Sequence, residues 1–296
     1  MYLIPRDNVV FSVLGEDIKE IYFTSAYKSG YPEVDRAKAL LYEVENPRGA
    51  VVFVHGTGNR NFSHLQYYPR KLSENGYVTI MPVLPYHFER LPSGDTVSSA
   101  FLKGSSSAME KKFYQAAIDV MTCVDYLEGR GFEKIHIMGY SFGGMISTIA
   151  MALDKRLDRG ILIVTGGNFE FITWHSIATR VIRLKYEEDE SCNPEKCHKI
   201  HRTFDETARN FGGVGELEKL PSCFRYDASL FANMINGEKV LMFTALFDPF
   251  IPRKSSDDLW HRLGKHKRYK LLSGHMTAHV FYRRYILKKS LAFLNT

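Results

Sequence analysis

This 296-residue chain has no long apolar run. A membrane-spanning helix needs ~20 consecutive apolar residues, and no stretch approaches that. The segment Met1 to Val10 carries Pro5, Arg6, Asp7 and Asn8, so it lacks the apolar centre of a secretory signal. These absences predict a soluble, cytoplasmic protein. Cysteine is scarce, at four residues, too few for a disulfide scaffold in a chain this long. Cys123 reads as a small buried hydrophobe in an amphipathic helix. Cys192 and Cys197 are followed by His198 and His201, but structural zinc sites use tighter, paired ligand spacings, so neither metal nor cofactor is expected. Internal repeats and low-complexity segments are also missing. Acidic residues are outnumbered, 33 against 39 basic, for a net charge of +6. The basic residues cluster at 262–270 and at Arg283, Arg284, Lys288 and Lys289. No nucleic-acid motif accompanies them, so they read as a solvated helix face, and neither nucleic acid nor membrane is expected as a partner.

What is present is an ordinary globular balance, 45% hydrophobic and 24% charged, in a chain long enough to bury a core without metal or disulfide. Early segments at Val9 to Leu14, Ile21 to Thr24 and Ala39 to Val44 read as antiparallel strands. From residue 50 the pattern changes. Continuous apolar runs at Ala50 to Val54, Tyr77 to Val83, Ile135 to Met138, Ile161 to Val164 and Val240 to Ala245 have the composition of strands buried on both faces. A shorter strand is expected at Arg268 to Leu272. Helices alternate with them: His64 to Asn75, regular from about Pro69; Ser105 to Leu127, with Phe113, Ala117, Val120, Val124 and Leu127 along one face; Ser141 to Leu153; and His279 to Leu294. Strand–helix alternation implies an α/β fold, a mostly parallel sheet with helices on both faces. The stretch from Gly166 to Gly237 breaks the rhythm and has the length of a lid or binding insertion.

Chemistry enters at Gly139-Tyr140-Ser141-Phe142-Gly143. The motif follows a strand and opens a helix, the context in which a strained turn presents a nucleophilic serine and tolerates only tiny neighbours. A serine hydroxyl needs a base. His275, beyond the last strand, is the candidate, with His279 as its rival. Asp248, closing an otherwise apolar strand, is the candidate to orient the base, with Glu170 as the alternative acid. The developing oxyanion needs fixed donors. The backbone N–H groups of Phe142 and of Thr57, in His55-Gly56-Thr57-Gly58, are placed for that task, and His55 reads as a structural histidine beside that loop.

With these residues the chain resembles the α/β-hydrolase superfamily of esterases, lipases and peptidases over residues 50 to 294. The resemblance implies an eight-stranded, mostly parallel sheet whose second strand is antiparallel, and a helical lid inserted after the sixth strand. Core boundaries of 1–167 and 237–296 follow, with a lid at 168–236. It implies a serine hydrolase, a carboxylesterase acting on a small-molecule ester with no cofactor. A peptidase or amidase with the same triad and a non-catalytic binding protein of this fold are the alternatives. The chain has no triple-glycine oxyanion motif, and serine at the nucleophile position excludes an aspartate-dependent dehalogenase. Tyr86, His87, Tyr140 and Trp174 are expected at the substrate pocket. Trp174, Phe204, Phe211 and Phe224 are expected to form the lid's inner face, with Glu187 to Glu190 turned to water.

Overall fold

The computed structural model describes residues 2–15, 18–57, 66–96, 100–101 and 104–296. One sheet runs through the molecule in the order β1-β2-β3-β5-β4-β6-β7-β8-β9. The strands are β1 Ser12–Leu14, β2 Lys19–Thr24, β3 Arg36–Tyr42, β4 Gly49–Val54, β5 Tyr77–Pro82, β6 Ile135–Tyr140, β7 Leu157–Ile163, β8 Val240–Ala245 and β9 Arg268–Leu271. Strands β1 to β3 are antiparallel and β3 joins β5 antiparallel. Every pairing from β5 through β9 is parallel. Among the described residues the sheet has nine strands, which corrects the expected eight. The addition, β1, is a three-residue edge strand exposed throughout. Without it, β2 to β9 are eight strands whose second is antiparallel to both neighbours.

The helices are α1 Pro32–Asp35, α2 Tyr67–Ser73, α3 Ser106–Gly129, α4 Phe142–Leu153, α5 Phe169–His175, α6 Arg180–Glu188, α7 Pro194–His201, α8 Phe204–Asn210, α9 Ser222–Arg225, α10 Ala228–Ala232, α11 Arg253–Arg262 and α12 His275–Leu294. His64 lies outside the described residues. Successive strand side chains point to opposite faces, and the two cores show it. Ala50, Val52 and Val54 of β4 pack with α3 and α4, while Val51 and Phe53 pack with α2 and α12. Both faces are covered, which is why these strands read as unbroken apolar runs.

The insertion between β7 and β8 is helical, α5 to α10. Its start and end are clasped together by Asp227, a fully buried carboxylate that accepts backbone N–H groups from Asn168 (2.7 Å), Phe169 (2.6 Å) and Ser229 (2.9 Å). Burial raises its pKa to about 7 against the pull of those three donors. Phe204, Phe211 and Phe224 are buried in the main core with Phe231, so they do not form an inner face over Ser141. Glu187 to Glu190 are exposed, as four adjacent carboxylates must be. Among the described residues no helix is long and apolar enough to cross a membrane.

Candidate active site

Ser141 sits between β6 and α4 at φ 55° and ψ −119°, a region that a residue with a side chain occupies only under strain. The surroundings impose it. The Ser141 N–H donates to the Ile163 carbonyl of β7 at 2.8 Å. A Cβ on Gly139 would lie 2.4 Å from the Gly143 carbonyl oxygen, and one on Gly143 would lie 2.1 Å from that of Val54. Glycine at both positions lets the helix approach β4 and turn sharply after the serine. Gly56 lies close to this turn too, since a Cβ there would stand 3.1 Å from that of Ser141. Phe142 opens α4, where a backbone N–H has no partner inside the helix. Thr57 is described and Gly58 lies outside the described residues.

On the opposite wall, β8 and β9 deliver an acid and a base. Asp248 follows β8 by three residues. Its Oδ1 accepts the backbone N–H groups of Phe250 and Ile251, each at 2.8 Å, and its Oδ2 lies 2.7 Å from His275 Nδ1. Both side chains are buried. His275 is the first residue of α12, not a loop residue ahead of it, because Gly274 caps the helix with the Thr277 hydroxyl accepting the Gly274 N–H at 2.8 Å. Tyr140 donates its hydroxyl to the His275 carbonyl at 2.8 Å, tying β6 to the start of α12. A carboxylate only accepts, so Nδ1 is the donor in this contact.

Ser141, His275, Thr57, Phe142 and Tyr140 open onto one cavity of about 260 Å³. Its apolar wall includes Phe101, Phe113, Met145, Phe169, Ile172 and Ile182. Among the described residues that line it, none is Asp, Glu, Lys or Arg. The rivals fall into place. His279, one turn after His275, is on the cavity wall against Tyr67, Tyr68 and Tyr140. Glu170 pairs with His198 at 2.7 Å and does not meet His275.

Three expected pocket residues lie elsewhere. Positive φ at Tyr86 (65°) and Phe88 (51°) turns this segment inward. His87 is fully buried, stacked parallel to Phe142 at 6.5 Å, with Nδ1 2.9 Å from the Pro85 carbonyl. Tyr86 is buried beneath the Lys112 ammonium, 5.3 Å from its ring. Trp174 faces Tyr186 of α6, because Phe169, Ile172 and Ser176 occupy the cavity side of α5 and position 174 falls on the other. Sequence reasoning also passed over Arg90, a buried guanidinium that donates to the Val34 and Val83 carbonyls and pairs with Asp119 at 2.7 Å. The cysteine and histidines of α7 diverge: Cys197 contacts His201 at 3.5 Å while His198 turns to Glu170. Among the described residues, no group of three or more His, Cys, Asp and Glu is arranged to hold a metal ion.

The family model of the dienelactone hydrolase family matches residues 37–211, more than half of the chain and spanning β3 through the serine turn to the insertion. The chain belongs to the dienelactone hydrolase family. A comparison with curated sequences finds no match. Solved structures share the fold of this dienelactone hydrolase family member. An acetyl xylan esterase from Paenibacillus sp. R4 superposes with a TM-score of 0.62 at 14% identity, over 94% of this chain and 88% of that one. Est1E from Butyrivibrio proteoclasticus, solved with ferulic acid, gives 0.56 at 14% identity over 88% and 96%. The acylaminoacyl peptidase of Pyrococcus horikoshii gives 0.59 at 14% identity, over 99% of this chain and 50% of that one. The dienelactone hydrolase family member is thus an α/β hydrolase whose structural neighbours include esterases and a peptidase.

Two histidines beside the site make stability fall in acid. His55 is fully buried, its Nδ1 3.0 Å from the Gly56 carbonyl and its Nε2 accepting the Leu84 N–H at 3.0 Å. Burial pushes it down to about 4, and His87 to about 3. In the unfolded chain both titrate near 6.5. Below that pH the unfolded chain takes up protons that the folded one refuses, so stability drops as pH falls from about 6.5 toward about 4. The cost is about 1.4 kcal/mol per pH unit for each histidine. The urea midpoint should fall steadily between pH 7 and pH 5, and His87→Gln should lessen the slope. An equal fall in the parent protein and in His87→Gln would show that the His87 ring is not held neutral.

Proposed function

We propose that this protein hydrolyses uncharged carboxylic esters with an apolar acyl or alcohol group, through an acyl-enzyme on Ser141. One observation carries the reading: His275, paired behind the cavity wall with Asp248, and the strained serine open onto the same apolar cavity, whose described lining holds no Asp, Glu, Lys or Arg. Ser141 Oγ attacks the ester carbonyl while His275 Nε2 takes its proton. Asp248 holds the Nδ1–H tautomer and stabilises the imidazolium. The N–H groups of Phe142 and Thr57 receive the oxyanion. His275 then returns the proton to the leaving alcohol, and a water attacks the acyl-serine by the same route. A fluorophosphonate probe should label Ser141. A panel of p-nitrophenyl esters beside aminoacyl anilides separates an esterase from a peptidase. Failure of the probe to react, with no ester turned over, would remove the proposal.

In this reading residues 168–236 act as a cap, and α5 and α6 set the acyl-chain limit through Phe169, Ile172 and Ile182. A methylene in an apolar pocket is worth about 1–3 kcal/mol of discrimination. Ile172→Trp should therefore lower kcat/KM for medium-chain p-nitrophenyl esters by about 10- to 100-fold relative to acetate. An unchanged ratio would place the acyl chain elsewhere. Trp174→Ala, on the far side of α5, should leave that ratio alone.

A further inference from the structure

The first turns of α12 present apolar side chains to solvent. Met276, Val280 and Phe281 lie on its outer side, opposite Ala278, Ile286 and Phe293, which pack against the sheet. Phe281 is 74% exposed. Leu272, also exposed, leads into this row from β9, and exposed Phe247 adjoins it, its N–H donating to the Ser273 carbonyl at 3.0 Å. Scattered apolar residues on a surface need no explanation, but a contiguous group does. The row begins at the cavity, because Met276 lines it together with Ser141 and His275. On the other rim Ile177 is exposed between Ser176 and Ala178, two further lining residues. Beyond Phe281 the outer side of α12 turns basic. Arg283, Arg284 and Lys288 are exposed within two turns of it, and no Asp or Glu occurs between Asp258 and Thr296.

We infer that this face docks on an anionic phospholipid bilayer. Phe247, Leu272, Met276, Val280 and Phe281 enter the headgroup layer, and Arg283, Arg284 and Lys288 meet the lipid phosphates. The spacing fits. A helix rises 1.5 Å per residue, so Arg284 lies about 12 Å along the axis from Met276. Apolar faces of surface-bound helices sink about 5–10 Å into the boundary between headgroups and acyl chains, which leaves the arginines at the level of the phosphates. Read from sequence, the charges alone suggested a solvated helix face; the exposed apolar row beside them changes that reading. Charge also decides against a second copy of this chain. A two-fold interface sets one patch against itself, and this patch would bring its basic residues together with no carboxylate of α12 or β9 to offset them. In the esterase reading, on which this one consequence rests, an apolar ester dissolved in the bilayer would reach Ser141 past Met276 without crossing bulk water.

The test reads binding, so it stands or falls apart from the esterase reading. The full chain is sedimented with sucrose-loaded vesicles of phosphatidylcholine, alone or mixed with phosphatidylglycerol. It should bind the anionic vesicles at least about 10-fold more tightly than the neutral ones, and added salt should release it. Phe281→Asp should weaken that binding by about 10-fold or more. Arg283→Gln combined with Arg284→Gln should weaken it by about 5-fold per charge removed. Lys196→Gln combined with Lys199→Gln removes the same charge from exposed positions of α7 and should leave binding unchanged. Thermal melts confirm that each variant is folded. Equal binding to both kinds of vesicle, binding to neither, or equal losses in the two double variants would overturn the proposal. So would a dimer in sedimentation velocity that Phe281→Asp dissolves, which would give the face to a second copy.

Discussion

Ser141→Ala is expected to lower ester hydrolysis by about 10³-fold or more while leaving the fold and its stability intact. The stability half of that expectation comes from the backbone. The strain at φ 55° is imposed by the β6–α4 turn, and it bears on alanine as on serine, since both carry a Cβ. Removing the hydroxyl therefore relieves nothing and, at a partly exposed cavity wall, breaks no packing. The catalytic half comes from chemistry. In the proposed mechanism the acyl group is carried on Oγ, so what would be left without it is water attack assisted by the Phe142 and Thr57 N–H groups and by binding, a residual of the kind other serine hydrolases retain. Hydrolysis of a p-nitrophenyl ester, active-site labelling by a fluorophosphonate and a urea melt would be read on the same preparation. Turnover within a few-fold of the parent protein would remove Ser141 from the mechanism.

The parts of the site that were legible in the sequence are those governed by local sterics and by chain order. Gly139 is dictated by the Gly143 carbonyl within the turn and Gly143 by the close approach of β4, and both stand in the five-residue pattern from which the serine turn can be read. Asp248 and His275 follow strands that end on the same side of a parallel sheet, and the order of those strands can be read from their apolar runs. The face that a side chain presents was less accessible. Trp174 is the most conspicuous residue of α5, but the cavity side belongs to Phe169, Ile172 and Ser176, spaced by three and four. That spacing is visible in the sequence. Which face of α5 meets the cavity is decided by packing against α6 and by the Asp227 clasp, fifty-odd residues further along the chain. His87 was hidden for a different reason. Its inward turn rests on positive φ at Tyr86 and Phe88, and neither residue type signals such a conformation. The buried Arg90–Asp119 pair joins a loop to the middle of α3, and no local pattern announces a long-range ion pair.

Asp248→Asn should lower kcat by about 10⁴-fold, with KM little changed, and the hydrogen bonds around Asp248 say why. One carboxylate oxygen is held by the N–H groups of Phe250 and Ile251. In the asparagine variant those two donors still require an acceptor, so the amide oxygen takes that position and the amide NH₂ is turned toward His275 Nδ1. Two donors cannot face each other. The imidazole must then present a bare Nδ1 and carry its proton on Nε2, the nitrogen that faces Ser141 in the proposed mechanism, where it cannot accept the serine proton. The ring stays in place because Tyr140 holds the His275 backbone and α12 holds its helix position, so binding survives while proton transfer fails. Glu170→Gln should be nearly silent, because that carboxylate meets His198 on the surface of the insertion. Steady-state kinetics on both variants, with far-ultraviolet dichroism to check folding, separates the alternatives. A large loss in Glu170→Gln with near-normal turnover in Asp248→Asn would move the acid to α5, after the strand that precedes the insertion, and leave the Asp248–His275 contact a structural one.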